Sequence, residues 1–336
     1  MSNWFNNTEN SSDIILTSRI RLARNIDNMP FPSRMTPEMK IELNKKVKDA
    51  ILSSNTPFAK NLKFIDMNNV PDTEVYAMVE RHIISPEFAQ KRVDKAIIIS
   101  DDESICVMIG EEDHIRIQVL KSGFSLEEAY DIAERLDKLL CDTLHFAFNE
   151  NLGFLTECPT NLGTGLRASV MLHLPALEAN GEISYISDYV SKLGFTVRGI
   201  YGEGSGSKAG LYQLSNQITL GISEKDAINN LSGITKQIIE KENNARELFR
   251  NIKSEDSIYR ALGILENARL ISTEEMMNCI SLIKLGISLG ILNIDSSLPN
   301  KIFIECQPNM LMSKYGIMDA EDRDKQRADY IRQLLE

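Results

Sequence analysis

A chain of 336 residues, 43% of them hydrophobic and 25% charged, is long enough to bury an ordinary core and amounts to about two domains. Its net charge of -11 argues against broad nucleic-acid binding, which needs a basic face to release counterions, yet is compatible with a local basic pocket. The polar start from Met1 to Asp13 is no signal peptide, no apolar run approaches the ~18 residues of a membrane span, and five cysteines without a Cys-x-x-Cys pair read as reduced thiols, so a soluble cytoplasmic protein is expected.

The first segment with a clear pattern is Thr17-Ser18-Arg19-Ile20-Arg21. In a strand, residues two apart point the same way at roughly 6.6 Å, so Arg19 and Arg21 share a face with Ile20 and Leu22 on the other. That spacing suits adjacent phosphate groups, because the planar guanidinium fork matches phosphate oxygens and keeps its proton. Taken alone, such a pair reads as a solvated strand edge. Thr36 to Ser53 follows, with Met39, Leu43, Val47 and Ile51 at helical spacing. Ala96 to Ser100, the turn Asp101-Asp102, and Ser104 to Ile109 predict a hairpin, and His114 to Leu120 predicts a third strand. Connections this short imply antiparallel pairing. Glu112, His114, Arg116 and Gln118 share a face backed by Ile115, Ile117 and Val119. Ser125 with Glu128 reads as a capping box that opens a helix through about Leu144.

Next comes Cys158-Pro159-Thr160-Asn161-Leu162-Gly163-Thr164-Gly165-Leu166-Arg167-Ala168-Ser169. Gly163 to Ala168 fits a loose Gly-x-Gly-x-x-Ala dinucleotide pattern, as does Gly204 to Ala209, but such a fingerprint opens a helix. The residues after Gly165 alternate as a strand, with Arg167, Ser169, Met171 and His173 opposite Ala168, Val170, Leu172 and Leu174. A Walker A sequence is absent, so any nucleotide is expected on arginines. Arg198-Gly199-Ile200-Tyr201-Gly202-Glu203 is the last segment of this kind, and Ser223 begins another long helix.

Near residue 250 the chain changes character. Beyond Asn251 only the short Lys301-Ile302-Phe303-Ile304 reads as strand, Ser272 with Glu275 caps a helix, and Asp319 to Leu335 reads as the last one. The expectation is an α+β fold, an antiparallel sheet flanked by helices over residues 13–250, followed by a smaller helical domain over 251–336. Three polar strand faces with apolar backs suggest one sheet whose wet side is a pocket. Cys106, Cys141 and Cys279 read as small buried hydrophobes, Cys306 stays unassigned, and His114 and His145 read as structural. No His/Cys/Asp grouping has metal-site spacing.

These arginine and glycine segments, and above all the run from Cys158 to Ser169, resemble the guanidino (phosphagen) kinase family, most closely its bacterial protein-arginine kinase branch, the McsB family. The similarity covers roughly residues 13 to 250, with the motifs in the family's order. It implies nucleotide contacts from Thr17, Ser18, Arg19, Ile20 and Arg21, from His82, from Arg116, from Arg167, Ala168, Ser169, Val170 and Met171, and from Arg198, Gly199, Ile200, Tyr201, Gly202 and Glu203. Met171 stands where many small-guanidine kinases carry histidine. Glu112 and Glu203 match the two family carboxylates that clasp the substrate guanidinium, one of them serving as base. A base is needed because a guanidinium, with a reference pKa above ~12, must lose a proton as the new N–P bond forms. Along an extended strand Glu112 lies on the order of 13 Å from Arg116. Cys158 matches the family's reactive cysteine beside the guanidinium, where cationic neighbours favour the thiolate. Mg²⁺ is expected to arrive with ATP.

Only about sixteen residues precede the first arginine motif, too few for the helical N-terminal domain of small-guanidine kinases, so an open substrate side that admits an arginine on a polypeptide is expected. Arg323-Asp324-Lys325-Gln326-Arg327-Ala328 resembles the phosphoarginine-binding motif of the McsB branch, with Arg323 and Arg327 on one helix face. The resemblance further implies a homodimer, a zinc-binding McsA-type activator, a heat-shock repressor among the protein substrates, and marking of targets for a Clp protease. No nucleic-acid or membrane partner is expected. Two alternatives stand beside this one: a kinase for a free guanidino metabolite, and a non-catalytic phosphoarginine adaptor. The adaptor predicts loss of a catalytic carboxylate or phosphate arginine, whereas Glu112, Glu203 and the five arginines are all present.

Overall fold

The computed structural model describes residues 13–54, 56, 59–199 and 209–336. In chain order, strand β1 (Ile15–Arg24) leads to helix α1 (Pro37–Leu52), where the Thr36 side chain accepts the Met39 N–H and Leu43, Val47 and Ile51 are buried. Then come β2 (Leu62–Asp66), α2 (Asp72–Glu80), α3 (Pro86–Gln90), β3 (Ala96–Ser100), β4 (Ile105–Ile109), β5 (Ile115–Ser122) and α4 (Leu126–Leu144). A two-residue hairpin, β6 (Phe148–Asn149) and β7 (Gly153–Phe154), precedes β8 (Leu166–His173), α5 (Pro175–Ala179), α6 (Ile183–Ser191), β9 (Phe195–Gly199) and β10 (Leu211–Asn216). The helix α7 (Glu224–Glu247) closes this part, with the Ser223 side chain accepting the Asp226 N–H. Five helices follow: α8 (Ile252–Asn267), α9 (Thr273–Ser288), α10 (Leu298–Glu305), α11 (Pro308–Tyr315) and α12 (Ala320–Leu335). Ser272 and Asp319 cap α9 and α12 through their side chains.

Among the described residues eight strands form one antiparallel sheet in the order β2-β3-β4-β5-β1-β8-β10-β9. Strict alternation divides its two faces. Ile20, Leu22, Ile117, Val119, Ala168 and Val170 point to one side, where they join α1, α4 and α7 in the largest core. Each large aliphatic side chain buried there contributes about 1.5–3 kcal/mol. Among the described residues the opposite face is covered at its margins. Met108, Cys106 and Ile97 pack under Met78 and Phe88 at one margin, while Leu16, Met171 and Leu211 join Ile258, Met276, Ile280 and Phe303 of the C-terminal helices at another. A polar groove lies between.

Three sequence expectations are corrected here. Lys301 to Ile304 is part of helix α10, opened by Pro299 in its first turn; Ile302, Phe303 and Ile304 are buried, and a short apolar run looks the same to periodicity in a buried helix as in a strand. The Ser125–Glu128 capping box does not form: the Ser125 hydroxyl donates to Ser122 O and Glu128 instead pairs with Lys121 at 2.5 Å. Cys141 is exposed on α4, unlike the buried Cys106, Cys279 and Cys306.

Candidate active site

The groove is a cavity of about 570 Å³, within the ~300–1,000 Å³ of small-molecule sites. Its floor is built by register. Arg21 of β1 lies directly opposite Arg167 of β8 and Gln118 of β5, Ala23 opposite Arg116, Arg19 opposite Ser169, and Arg198 of β9 opposite Gln213 of β10. Directly opposed residues of antiparallel strands share a face, so the guanidiniums of Arg19, Arg21, Arg116, Arg167 and Arg198 converge on one surface, and all line the cavity. Arg19 donates to Gln213 Oε1 at 2.6 Å, and Arg116 is held by Glu111 at 2.6 Å. Arg21 Nε is buried and has no hydrogen-bond partner among the described residues.

So much positive charge in one place is costly without an anion. Burial, then the charges of Arg116 and Arg167, lower the Arg19 pKa to about 10, and burial together with Arg19, Arg116 and Arg167 lowers that of Arg21 well below its ordinary value. Burial, Arg198 and Arg116 do the same to Arg167. Like charges directly opposite destabilise a sheet, and a bound polyanion relieves them. His82 lies over the cavity with φ +61°, a left-handed backbone that a non-glycine adopts only when its surroundings hold it there. Gln118 Nε2 does so by donating to the His82 and Ile83 carbonyls. Burial first, then Arg19, lowers the His82 pKa to about 4, so its imidazole is neutral at pH 7.

At the end of the floor marked by Arg116 and Arg167, the β4–β5 turn carries Glu111, Glu112 and Asp113. Asp113 Oδ1 accepts from Asn25 Nδ2 at 2.7 Å and from the Glu157 N–H at 2.8 Å, which ties this turn to the loop bearing Cys158. As a result Glu112 Oε2 lies 3.4 Å from Asn161 Nδ2 and 3.6 Å from Arg116 Nη2. The separation of ~13 Å expected for an extended strand is thus corrected, because residues 110–114 form a tight turn and β5 begins only at Ile115. Burial, with Asp113 and Glu111 adding to it and Arg116 opposing, raises the Glu112 pKa. Cys158 is half-buried, its Sγ 3.0 Å from Thr160 Oγ1.

Gly163 (φ +110°) and Gly165 (φ +62°) have a packing role: an added Cβ would lie 2.2 Å from Thr219 O and 2.6 Å from Ala23 O. They close the turn into β8, which then presents Arg167. The remaining nucleotide residues named by resemblance are divided by the pleat. Thr17 and Met171 line the cavity, and Ser169 lies on its face, accepting from Arg19 Nε at 3.4 Å. Ser18, Ile20, Ala168 and Val170 point to the opposite, buried face; the Ser18 hydroxyl donates to Gly123 O and accepts the Ser125 N–H. Gly199 ends β9, whereas Ile200, Tyr201, Gly202 and Glu203 lie outside the described residues. His114 is fully buried, bonding the Ile26 N–H and Pro30 O, and His173 is covered by α9 through Ser281. Sequence reasoning missed Glu111 and Gln213, the two partners that aim Arg116 and Arg19; neither stands out without the register.

The segment Arg323-Asp324-Lys325-Gln326-Arg327-Ala328 lies on α12. Arg323 is half-exposed and donates to Met318 O, but Arg327 is only 1% exposed and donates to Cys306 O at 2.9 Å and Ile271 O at 2.8 Å, besides pairing with Asp324. The i, i+4 spacing aligns the two arginines on one helix face, and the packing of α12 against α8 and α11 buries the second.

Comparison with known proteins accords with this geometry. The family model for the ATP:guanido phosphotransferase C-terminal catalytic domain matches residues 42–245, and that for the protein-arginine kinase McsB C-terminal domain matches residues 251–336. The chain is 44% identical to a protein-arginine kinase of Caldanaerobacter subterraneus subsp. tengcongensis, covering 95% of this chain and 96% of that protein. It is 43% identical to the Halothermothrix orenii protein-arginine kinase, covering 100% and 97%. Among solved structures, the duplicated taurocyamine kinase of Schistosoma mansoni with bound transition-state-analogue components superposes with a TM-score of 0.62 at 26% identity, over 74% of this chain and 37% of that longer one. Lombricine kinase, at 22% identity and a TM-score of 0.62 over 72% and 70% of the two chains, shares the fold.

Proposed function

This chain belongs to the ATP:guanido phosphotransferase family, in its protein-arginine kinase branch, and from that premise we propose that it transfers the γ-phosphoryl group of ATP to arginine side chains in proteins. The observation that carries this reading is the concentration of Arg19, Arg21, Arg116, Arg167 and Arg198 on one sheet face, with Glu112 and Cys158 at its end. In this reading the arginines hold the triphosphate, and Glu112, together with Glu203, orients the incoming guanidinium. A guanidinium nitrogen attacks the γ-phosphorus as the bond to the ADP oxygen breaks in line. The N–P bond forms, the nitrogen's proton passes to one of the two carboxylates, and ADP leaves with the bridging oxygen. In the same reading the Cys158 sulfur sits beside the substrate cation.

Mg²⁺ is taken to enter with ATP, carried on the phosphate oxygens. Mg²⁺ bound there would neutralise charge on the transferring group. Residues 13–250 are assigned to the catalytic domain and 251–336 to a regulatory and dimerising one. Phosphoarginine sensing is assigned to the segment Arg323-Asp324-Lys325-Gln326-Arg327-Ala328, in which Arg323 is the accessible arginine and Arg327 reaches a phosphate by giving up its carbonyl partners. Arg323→Ala should blunt the response to phosphoarginine and leave nucleotide binding intact; an unchanged response overturns that assignment. A homodimer in the cytoplasm, an McsA-type activator, a heat-shock repressor as substrate and delivery of targets to a Clp protease complete the proposal by family likeness.

Incubation with Mg-ATP and either casein or free arginine tests the reading through acid-labile N-phosphate. Label on casein supports it. Label confined to free arginine makes the protein a metabolite kinase, and bound ATP without label on either makes it an adaptor.

A further inference from the structure

The cavity has two chemically different ends. Along the strands, the floor runs from Arg116, Arg21 and Arg167 through Arg19 to Met171, Leu211 and Leu16. Arg21 to Leu16 spans about 17 Å at strand rise. Above the apolar end stand five side chains of the C-terminal helices: Met277 of α9, Asn300, Phe303 and Ile304 of α10, and Gln307 just beyond it. Asn300, Phe303, Ile304 and Gln307 fall at i, i+3, i+4 and i+7, the spacing of one helix face, so α10 turns a single amide-and-hydrocarbon stripe toward the groove. Phe303 packs in the same core as Met171 and Leu211 from the sheet.

One atom in that stripe is unexplained by folding. Asn300 Oδ1 is buried and, among the described residues, has no hydrogen-bond partner, although Asn300 lines the cavity. A buried unpaired acceptor is unfavourable, and any ligand that brings an N–H to it removes that cost. The helix is also firmly placed. Glu80, at the end of α2 and two residues before His82, accepts the Asn309 and Met310 N–H groups at 3.0 and 2.8 Å, capping α11 from the catalytic side. Arg327 holds Cys306 O at the far end of α10.

We propose that α10 of the C-terminal region is the base-binding wall of the nucleotide site, with a purine resting at the apolar end of the groove where Met171, Leu211, Phe303 and Met277 form its lining, and its exocyclic amino group donating to Asn300 Oδ1. The inference rests on the ATP-dependent reading above and extends it. The helical region is then part of the substrate site, and an aminopurine nucleotide is preferred over one with a carbonyl at the same ring position. An adenine meets the orphaned acceptor with a donor; hypoxanthine meets it with another acceptor, and pairs only if the Asn300 amide turns over.

Calorimetric titration of the full chain with ADP, inosine diphosphate and inorganic tripolyphosphate tests this. The wild type is expected to bind ADP about tenfold or more tightly than inosine diphosphate, an order set by one unpaired buried group. Asn300→Leu should remove most of that preference by weakening ADP alone, with tripolyphosphate unchanged. Equal affinity for the two nucleotides in the wild type, or an unaltered preference in Asn300→Leu, overturns the proposal; failure to bind tripolyphosphate or ADP at all would instead sink the phosphate cradle beneath it. Photolabelling with 8-azido-ADP needs no variant: adducts on the peptide spanning Leu298 to Gln307 are expected, and adducts confined to residues before 250 contradict the assignment.

Discussion

Buried arginines occur in two regions of this molecule, and they differ in what they face. In the helical layer, Arg246 donates to Glu242, Ser288 and His173 O, and Arg327 donates to Cys306 O, Ile271 O and Asp324. Their charge is met by carboxylates and carbonyls that the fold itself supplies. On the sheet face, Arg21 keeps an Nε with no partner among the described residues and has Arg167 as its cross-strand neighbour, while Arg19 and Arg116 press on both. The lesson is that burial alone does not mark a functional arginine. An arginine whose surroundings repel it is waiting for an anion; one whose donors are matched is holding helices together.

The largest expected effect breaks the catalytic end of the cradle without touching its phosphate end. Glu112→Gln should lower phosphoryl transfer to casein by ~10²–10⁴-fold, the range for a lost acid–base group, while ADP affinity in calorimetry stays near wild type. Turnover within a fewfold of wild type would remove Glu112 from the mechanism. Next in size is the matched region. Arg246→Ala leaves Glu242, whose side chain is fully buried, without its counterion, and should cost about 3–5 kcal/mol in denaturant unfolding. A loss under about 1 kcal/mol would show that the pair is not structural in the sense claimed.

A third effect concerns pH. His82 is held near a pKa of about 4 by burial and by Arg19, against an ordinary value of 6.5. The unfolded chain therefore binds the extra proton first as pH falls, and stability drops between about pH 6.5 and 4 by up to ~1.4 kcal/mol per pH unit from this one group. His173 and His114, also lowered by burial, add to the slope. His82→Gln should flatten part of the decline in melting temperature over that window, and an identical slope in the variant would show that His82 titrates normally.

Much of this arrangement was legible in the chain because its signals are local. Alternation around Arg19 and Arg21 placed them on one face, and Thr36, Ser223, Ser272 and Asp319 marked helix starts that the backbone N–H groups use. The signals that failed were those another element decides. Ile302, Phe303 and Ile304 gave no clue that they form a helix, since burial on every side erases periodicity. Arg327 has the same spacing from Arg323 whether α12 is exposed or packed, and only the packing buries it. Nothing near Asn300 or Phe303 in sequence points to the arginines, because a strand face and a distant helix meet only in the folded chain. Glu112 was legible as an acid near Arg116 but not as its neighbour, since the turn at Gly110 (φ +75°) replaces extended strand there.

The contrast between repelled and matched arginines is tested most directly by Arg21→Gln, measured for thermal stability and for ADP affinity in the same preparation. Relief of a buried charge beside Arg19, Arg116 and Arg167 should leave the melting temperature unchanged or higher, while ADP affinity falls by about tenfold or more, the loss expected for a charged hydrogen bond to phosphate. A variant that melts several degrees lower yet binds ADP as tightly as wild type would contradict the account, because Arg21 would then serve the fold and not the anion.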